Sequence, residues 1–169
     1  TIENNSSNPS PSGRLGGATV TKAVRIYGKN DLRLEEFELP QITEDEILAS
    51  VVSDSICMSS WKAAILGTEH KRVPNDAAEN PPIIGHEFSG EILEVGANWQ
   101  HKFTVGQKYS IQPAIYYKDG PVGVLSAPGY SYKYVGGNAT YVSIPKDVLE
   151  QDCLLPFEHP GFYPGSLAE

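Results

Sequence analysis

Residues 81–91 read Pro-Pro-Ile-Ile-Gly-His-Glu-Phe-Ser-Gly-Glu, and this stretch places two metal-ligating side chains between two glycines in an apolar setting. Neighbouring residues on a regular strand point to opposite faces, so His86 and Glu87 can approach one ion only if the backbone turns. Gly85 allows that turn, because glycine adopts conformations that other residues avoid. Residues 88–95 then have the composition of a strand. The stretch therefore predicts a metal-binding turn that leads into a sheet.

Short strands are predicted on both sides of this turn. Residues 23–27 and 32–37 flank turn residues 28–31, and the second segment alternates apolar and polar side chains, so we expect a β-hairpin. Further strands are predicted at residues 47–52, 106–113 and 139–145. Many short strands with Gly and Pro between them are typical of a mainly β protein, here an antiparallel, partly open β-barrel.

Helices are predicted to be few and short. Ser59 is the expected N-cap of one helix, and Gly67 is its expected end. Residues 146–150 suggest a single helical turn. Residues 68–82 form a long polar loop without periodicity, and such loops in a domain are often functional. Residues 156–165 are predicted to be irregular.

One domain is predicted. Residues 1–19 are polar and rich in Ser and Pro, so we expect a disordered leader or a remnant of recombinant expression. Residues 20–169 form the domain. They contain no Gly-x-Gly-x-x-Gly between a strand and a helix, so a Rossmann cofactor domain is predicted to be absent from this chain.

The charge balance argues against two classes of partner. The 169 residues carry a net charge of -8, whereas nucleic acids and anionic membranes bind basic surfaces. A small anionic substrate stays open, because one lysine could neutralise it. No apolar run reaches the roughly 18 residues of a transmembrane helix. Cys57 and Cys153 are too few for a disulfide framework, which predicts a cytoplasmic protein with reduced thiols.

Cys57 and His86 are the first candidates for a zinc centre. A lone cysteine is commonly a buried small hydrophobe, but Cys57 is predicted to end a strand, where a loop can turn its sulfur inward. A buried imidazole such as that of His86 needs partners for both nitrogens. Glu87 is either a direct ligand, a supporting group or a surface carboxylate. The other histidines lie in polar or proline-flanked loops and are predicted to be ordinary: His70, His101 and His159.

Several motifs together resemble those of zinc-containing medium-chain alcohol and polyol dehydrogenases. Residues 82–92 closely resemble the family's histidine signature, and residues 56–60 resemble its Cys-Gly-Ser/Thr-Asp segment. Residues 105–109 and 136–142 are similar to two further strands of the family. The resemblance covers roughly residues 22–169.

This resemblance implies a GroES-like catalytic domain with one zinc site. Cys57, His86 and Glu87 match zinc ligands of the polyol dehydrogenases, and Glu87 thereby also takes part in catalysis. The C-terminal residues resemble the start of an Ala-x-Leu-x-Glu-Pro segment, in which Glu169 matches a glutamate that contacts the zinc or its water. Ser59 matches the hydroxyl that passes on the substrate proton.

The resemblance also implies a reaction. Zinc would polarise an alcohol, a polyol or a sugar phosphate, and NAD(P) would take or give the hydride. The cofactor domain would follow Glu169, so this chain alone is expected to be inactive. The oligomeric state stays open, and a homo-oligomer of the longer enzyme is one alternative.

Four features depart from the family pattern. Met58 replaces a glycine, and Ser60 replaces an aspartate that would support the histidine. The four-cysteine lobe of many relatives is missing, which predicts no structural zinc, and a section rich in Gly and Tyr, residues 116–134, takes its place. Lys62 stands where a side chain near the substrate is expected, and it could neutralise a phosphate; the alternative is a solvated helix lysine.

Two other functions remain open at this stage. The chain could be a non-catalytic GroES-like binding module, which predicts a symmetric oligomer without metal. It could also be a zinc-free domain like those of quinone reductases. The pairing of Cys57 with His86 argues against both alternatives.

Overall fold

Two antiparallel sheets are present in the computed structural model of the chain, which describes residues 14–15, 18–113 and 118–158. The first sheet has the strand order β1-β2-β3, and its strands are β1 (Arg14–Leu15), β2 (Ala18–Gly28) and β3 (Asp31–Leu39). The long β2–β3 hairpin turns at Asn30, whose φ of 54° is in the left-handed region that asparagine tolerates. The predicted hairpin is thereby confirmed. The sheet begins within the segment that the sequence predicts as a leader.

The second sheet has five strands in the order β7-β4-β5-β6-β8. Its strands are β4 (Ile47–Asp54), β5 (Phe88–Val95), β6 (Lys108–Ile111), β7 (Tyr141–Ile144) and β8 (Leu154–Phe157). Strands β4 and β5 pair so that Asp54 lies opposite Phe88. The end of β4 and the start of β5 therefore meet, which brings the segments around Cys57 and His86 to the same edge.

The mainly β, open antiparallel fold is confirmed, with two differences in detail. Strands β6 and β7 are shorter than predicted. Strand β8 includes Pro156 and Phe157, which were predicted to be irregular. Pro156 cannot donate a backbone hydrogen bond, and β8 accommodates it as an edge strand that pairs only with β6 among the described residues.

The helical segments are short, as predicted. Helix α1 spans Met58–Leu66 and helix α2 spans Lys146–Glu150, while three 3₁₀ turns lie at Gly67–Glu69, Ala97–Trp99 and Gly123–Leu125. Gly67 ends α1 with a φ of 53°, and a Cβ there would lie 2.3 Å from the backbone nitrogen of Lys29. Only glycine fits this contact between α1 and the hairpin turn. Among the described residues, no helix is long and apolar enough to cross a membrane.

Two groups of buried apolar side chains hold these elements together. The larger fills the inner face of the five-stranded sheet and contains Phe88, Ile92 and Tyr109. The smaller joins Ile26 of β2 and Ala63 of α1 to the loops through Val73, Ala77, Ile84, Ala127 and Tyr130. Burying one large apolar side chain contributes roughly 1.5–3 kcal/mol. The smaller group thus fixes helix α1 beside the turn at Gly85.

Candidate metal centre

Cys57 is the N-cap of helix α1. Strand β4 ends at Asp54, so Cys57 does not end a strand as predicted but follows a short loop. Ser59 is not the cap either, because Cys57 has the extended backbone of a cap, with φ -117° and ψ 141°. The backbone N–H of Ser59 donates to Cys57 Sγ over 3.5 Å. The first turn of the helix therefore points a donor at the sulfur and fixes its position.

The backbone turns at Gly85, as the sequence predicts. Gly85 has a φ of 102°, and its carbonyl accepts a 2.7 Å hydrogen bond from the N–H of Gly137. His86 and Glu87 then form a bend before β5 begins, and both are buried, with 6% and 5% of their surface exposed. A bend at these two residues lets both side chains face the same space.

Three potential ligands converge at this bend. One ligand atom each from Cys57, His86 and Glu87 lies within 4.8 Å of the other two. His86 Nε2 is 3.7 Å from Glu87 Oε1. A thiolate, an imidazole and a carboxylate form a donor set that suits zinc, and their separations allow a common ion. Among the described residues, no other cluster of His, Cys, Asp and Glu has this property.

Ser60 orients the imidazole. Its Oγ lies 3.1 Å from His86 Nδ1. When Nδ1 carries the ring proton, it donates to Ser60 and leaves the lone pair on Nε2 available to a metal. The serine that replaces an aspartate in the family pattern therefore supplies the contact that the aspartate would give.

Tyr130 covers one face of the imidazole, and the sequence did not identify it. Its ring stacks on His86 with centroids 4.8 Å apart, and its hydroxyl is 3.4 Å from His86 Nε2. The Ser59 side chain hydrogen-bonds the same hydroxyl, while burial is the main reason that the pKa of Tyr130 is raised to about 12. The only signal in the sequence was the unusual Gly- and Tyr-rich section that contains this residue.

Asp54, the last residue of β4, places its carboxylate next to the turn at Gly85. Its Oδ2 accepts a 2.7 Å hydrogen bond from Asn138 Nδ2, and its carboxylate also accepts the backbone N–H of Glu87. A Cβ on Gly85 would lie 2.5 Å from this oxygen. Burial, together with the Glu87 carboxylate, raises the pKa of Asp54 to about 7. The carboxyl group thus connects β4, the turn at Gly85 and the loop before β7.

The remaining predicted residues have different positions. Lys62 is exposed on helix α1, one turn after Ser59. Glu169 and His159 lie outside the described residues. His101 stacks on Trp99 at the surface, as expected of an ordinary histidine. His70 was predicted to be ordinary too, but it stacks on the face of Tyr130 at 5.4 Å, and so it lies close to the candidate metal centre.

Comparisons with known proteins agree with this geometry. The profile described as the alcohol dehydrogenase GroES-like domain matches residues 43–153. The chain is 56% identical over 150 residues to L-sorbose 1-phosphate reductase of Klebsiella pneumoniae, covering 89% of this chain and 36% of that protein. It is 45% identical over 151 residues to mannitol-1-phosphate 5-dehydrogenase of Aliivibrio fischeri, covering 89% of this chain and 34% of that protein. The chain thus spans about a third of the length of these relatives.

A solved structure extends the similarity to three dimensions. The chain superposes on 2R,3R-butanediol dehydrogenase of Bacillus subtilis with a TM-score of 0.63 and 27% identity. The superposition covers 82% of this chain and 40% of the other. The GroES-like fold that the sequence motifs imply is therefore confirmed.

Proposed function

This chain belongs to the alcohol dehydrogenase GroES-like domain family, whose members are oxidoreductases, and from that premise we propose that it is the zinc-binding catalytic portion of an NAD(P)-dependent polyol or sugar-phosphate dehydrogenase. The observation that carries the proposal is the convergence of Cys57, His86 and Glu87 within 4.8 Å. The phosphorylated substrates named for the two relatives, which are 56% and 45% identical, support the sugar-phosphate class.

In this proposal, Cys57, His86 and Glu87 hold the zinc, and Glu169 is a further ligand. The donor set fits the ion, since it combines a thiolate, an imidazole whose ring contacts Ser60 and a carboxylate. Bound zinc supplies Lewis-acid polarisation of the substrate hydroxyl or carbonyl. Three converging donors, of which His86 and Glu87 are buried, have no evident use in a zinc-free reductase or in a binding module, so we favour the dehydrogenase.

The chain's own residues prepare the site for proton transfer. Ser60 keeps the His86 ring in one orientation, and Tyr130 packs against its face and limits access of water. Ser59 is exposed at the first turn of α1 and contacts the Tyr130 hydroxyl. A substrate hydroxyl at the centre can therefore pass its proton to Ser59, which exchanges it with solvent.

The hydride acceptor is proposed to bind outside residues 1–169. NAD(P) needs a glycine-rich turn between a strand and a helix, and the sequence of this chain contains no Gly-x-Gly-x-x-Gly. The chain alone would therefore show no dehydrogenase turnover. Cys57 and Cys153 do not form a disulfide with each other, which is consistent with the cytoplasmic location that we propose.

Metal analysis of the purified chain tests the proposal. We expect about one zinc per chain, and we expect the Cys57→Ser, His86→Ala double variant to lose it. The matched control is Cys153→Ser with His101→Ala, which removes the same two side-chain types from positions outside the cluster. Equal zinc in the Cys57/His86 variant and in the unmodified chain would contradict the proposal.

A further inference from the structure

Four cationic or protonatable side chains lie close to one another near Tyr130, the residue that stacks on His86. We call Lys62, His70, Lys71 and Arg72 the cationic patch. His70 stacks on Tyr130 with the two ring planes only 3° from parallel. Because Tyr130 also stacks on His86, with centroids 4.8 Å apart, the patch lies close to the candidate metal centre.

Arg72 is hydrogen-bonded to His70, and Lys71 lies between the two in the sequence. Burial lowers the pKa of His70 most, and the charges of Arg72, Lys62 and Lys71 lower it further, in that order. All three charged groups that act on this imidazole are positive. Helix α1 and the loop after it therefore bring like charges together next to the candidate site.

These charges are not neutralised by the part of the chain that the structure describes. No described carboxylate forms an ion pair with Lys62, Lys71 or Arg72, although the chain has more acidic than basic residues overall. The neighbouring acid, Glu69, pairs with Lys29 at 3.2 Å. Like charges held together without a counter-ion cost stability, and an anionic ligand would offset that cost.

Hydrogen bonds prepare two members of the patch for an anion. The N–H of Arg72 donates to His70 Nδ1 over 3.2 Å, so the neutral imidazole carries its proton on Nε2 and can donate there. The guanidinium of Arg72 is anchored by a 2.7 Å bond from Nη1 to the carbonyl of Leu125. An anchored guanidinium has further donors that match the oxygens of a phosphate.

We propose that the cationic patch binds the phosphate group of a sugar-phosphate substrate whose reacting carbon lies at the Cys57–His86–Glu87 centre. The inference rests on the proposed function and adds the residues that distinguish a phosphorylated substrate from a plain polyol. Lys62, Lys71 and Arg72 supply charge, and His70 supplies a neutral donor. Tyr130 contacts both His70 of the phosphate subsite and His86 of the metal centre.

Calorimetric titration of the zinc-loaded chain tests the inference, with mannitol 1-phosphate and mannitol as a matched pair of probes. We expect the phosphorylated ligand to bind more tightly, and this preference to shrink as salt is added, because the screening of charges increases. The Lys62→Gln, Lys71→Gln double variant should weaken mannitol 1-phosphate binding by roughly tenfold or more, since bonds to charged groups are the strong ones. Its affinity for mannitol should not change.

The control variant is Lys146→Gln, which removes an exposed lysine of α2 that pairs with Glu150. It should bind both ligands as the unmodified chain does. Both patch lysines are exposed, so their substitution should not lower the melting temperature. A double variant that keeps full preference for mannitol 1-phosphate overturns the inference, and so does equal or absent binding of the two ligands by the zinc-loaded chain. Failure of the chain to take up zinc instead overturns the proposed function.

Discussion

Ser60 Oγ lies 3.1 Å from Nδ1 of His86, and this contact joins the first turn of helix α1 to the bend before strand β5. The two residues are 26 positions apart in sequence. The contact holds the plane of a ring whose other nitrogen faces Glu87. A serine hydroxyl thereby performs the supporting role that an aspartate has in the sequence pattern that this chain resembles.

Removing this hydroxyl should weaken the metal site without unfolding the domain. We expect Ser60→Ala to lower zinc affinity by roughly 10- to 100-fold, the usual effect of losing a partner of a ligating histidine. Competition with a chromogenic chelator measures this change. Ser60→Thr keeps a hydroxyl and should restore most of the affinity, while Ser53→Ala on β4 should leave it unchanged. An unchanged affinity in Ser60→Ala would show that the contact does not support the ring.

A Cβ at Gly85 should be more harmful than one at Gly106 or Gly28. Gly85 combines a φ of 102° with a Cβ position 2.5 Å from both Asn138 Nδ2 and Asp54 Oδ2. Backbone strain of this kind costs roughly 1–2 kcal/mol, and the overlap adds to it. We therefore expect Gly85→Ala to lower the free energy of unfolding by at least about 2 kcal/mol and to reduce zinc binding.

Two further glycines distinguish the effect of backbone strain from the effect of the close contacts at Gly85. Gly106 has a φ of 90° but open space around its Cβ position, so Gly106→Ala should show the strain alone. Gly28 has neither a positive φ nor a close neighbour, so Gly28→Ala should be almost neutral. Urea unfolding of the three variants should rank them in the order Gly85, Gly106, Gly28. Equal effects at Gly85 and Gly106 would mean that the contact with Asp54 is unimportant.

The ring of Tyr130 should contribute more to stability and zinc affinity than its hydroxyl does. Tyr130→Phe keeps the stacking on His86 and His70, so we expect stability and zinc affinity close to those of the unmodified chain. Tyr130→Ala removes a large buried ring and should cost about 3–5 kcal/mol of stability. Tyr130→Leu retains much of the volume without the aromatic face and should be intermediate. Thermal unfolding with and without zinc distinguishes the three variants. An equal loss of stability in Tyr130→Phe and Tyr130→Leu would mean that the hydroxyl, and not the ring, is responsible.

Local patterns in the sequence were sufficient for much of the fold and the site. Gly85, His86 and Glu87 are consecutive, so the need for a turn there follows from the strand geometry alone. The β2–β3 hairpin was equally readable, because its turn and its alternating strand are contiguous. Strand β8 was missed, since four residues that include a proline carry almost no periodic signal and depend on pairing with β6.

The contacts that support the site could not be predicted, because they join distant segments. Tyr130 lies 44 residues from His86, and Asp54 lies 84 residues from Asn138. The sequence around one residue of each pair contains no pattern that predicts the other residue. His70 illustrates the same limit, because a polar loop gave no sign that its ring would stack on Tyr130. Chemistry that resides in one segment is readable from sequence, whereas support from another segment needs the fold.

Asp147 should make the stability of the domain depend on pH. It lies on α2 and does not belong to the Cys57–His86–Glu87 cluster. Its carboxylate is buried, accepts the hydroxyl of Tyr132 and the N–H of Val148, and has a raised pKa, chiefly because burial disfavours the charged form. The folded chain therefore keeps this proton at pH values where the unfolded chain, with a value near 3.8, has lost it. The contribution of the protonated Asp147 to the free energy of unfolding is therefore complete below about pH 3.8. It is lost as the pH rises through the pKa that Asp147 has in the folded chain.

Asp147→Asn removes the titrating carboxyl group, so comparing this variant with the unmodified chain should show whether the group makes the protein less stable as the pH rises. We expect the free energy of unfolding of the variant, relative to the unmodified chain, to rise as the pH is raised from about 4 to 8, because only the unmodified chain must bury a charge at the higher pH. Urea unfolding at four or five pH values measures the difference. The exposed control Asp119→Asn should give a difference that does not change with pH. A difference for Asp147→Asn that stays flat or falls with pH would mean that the bonds from Tyr132 and Val148 outweigh the burial of the charge.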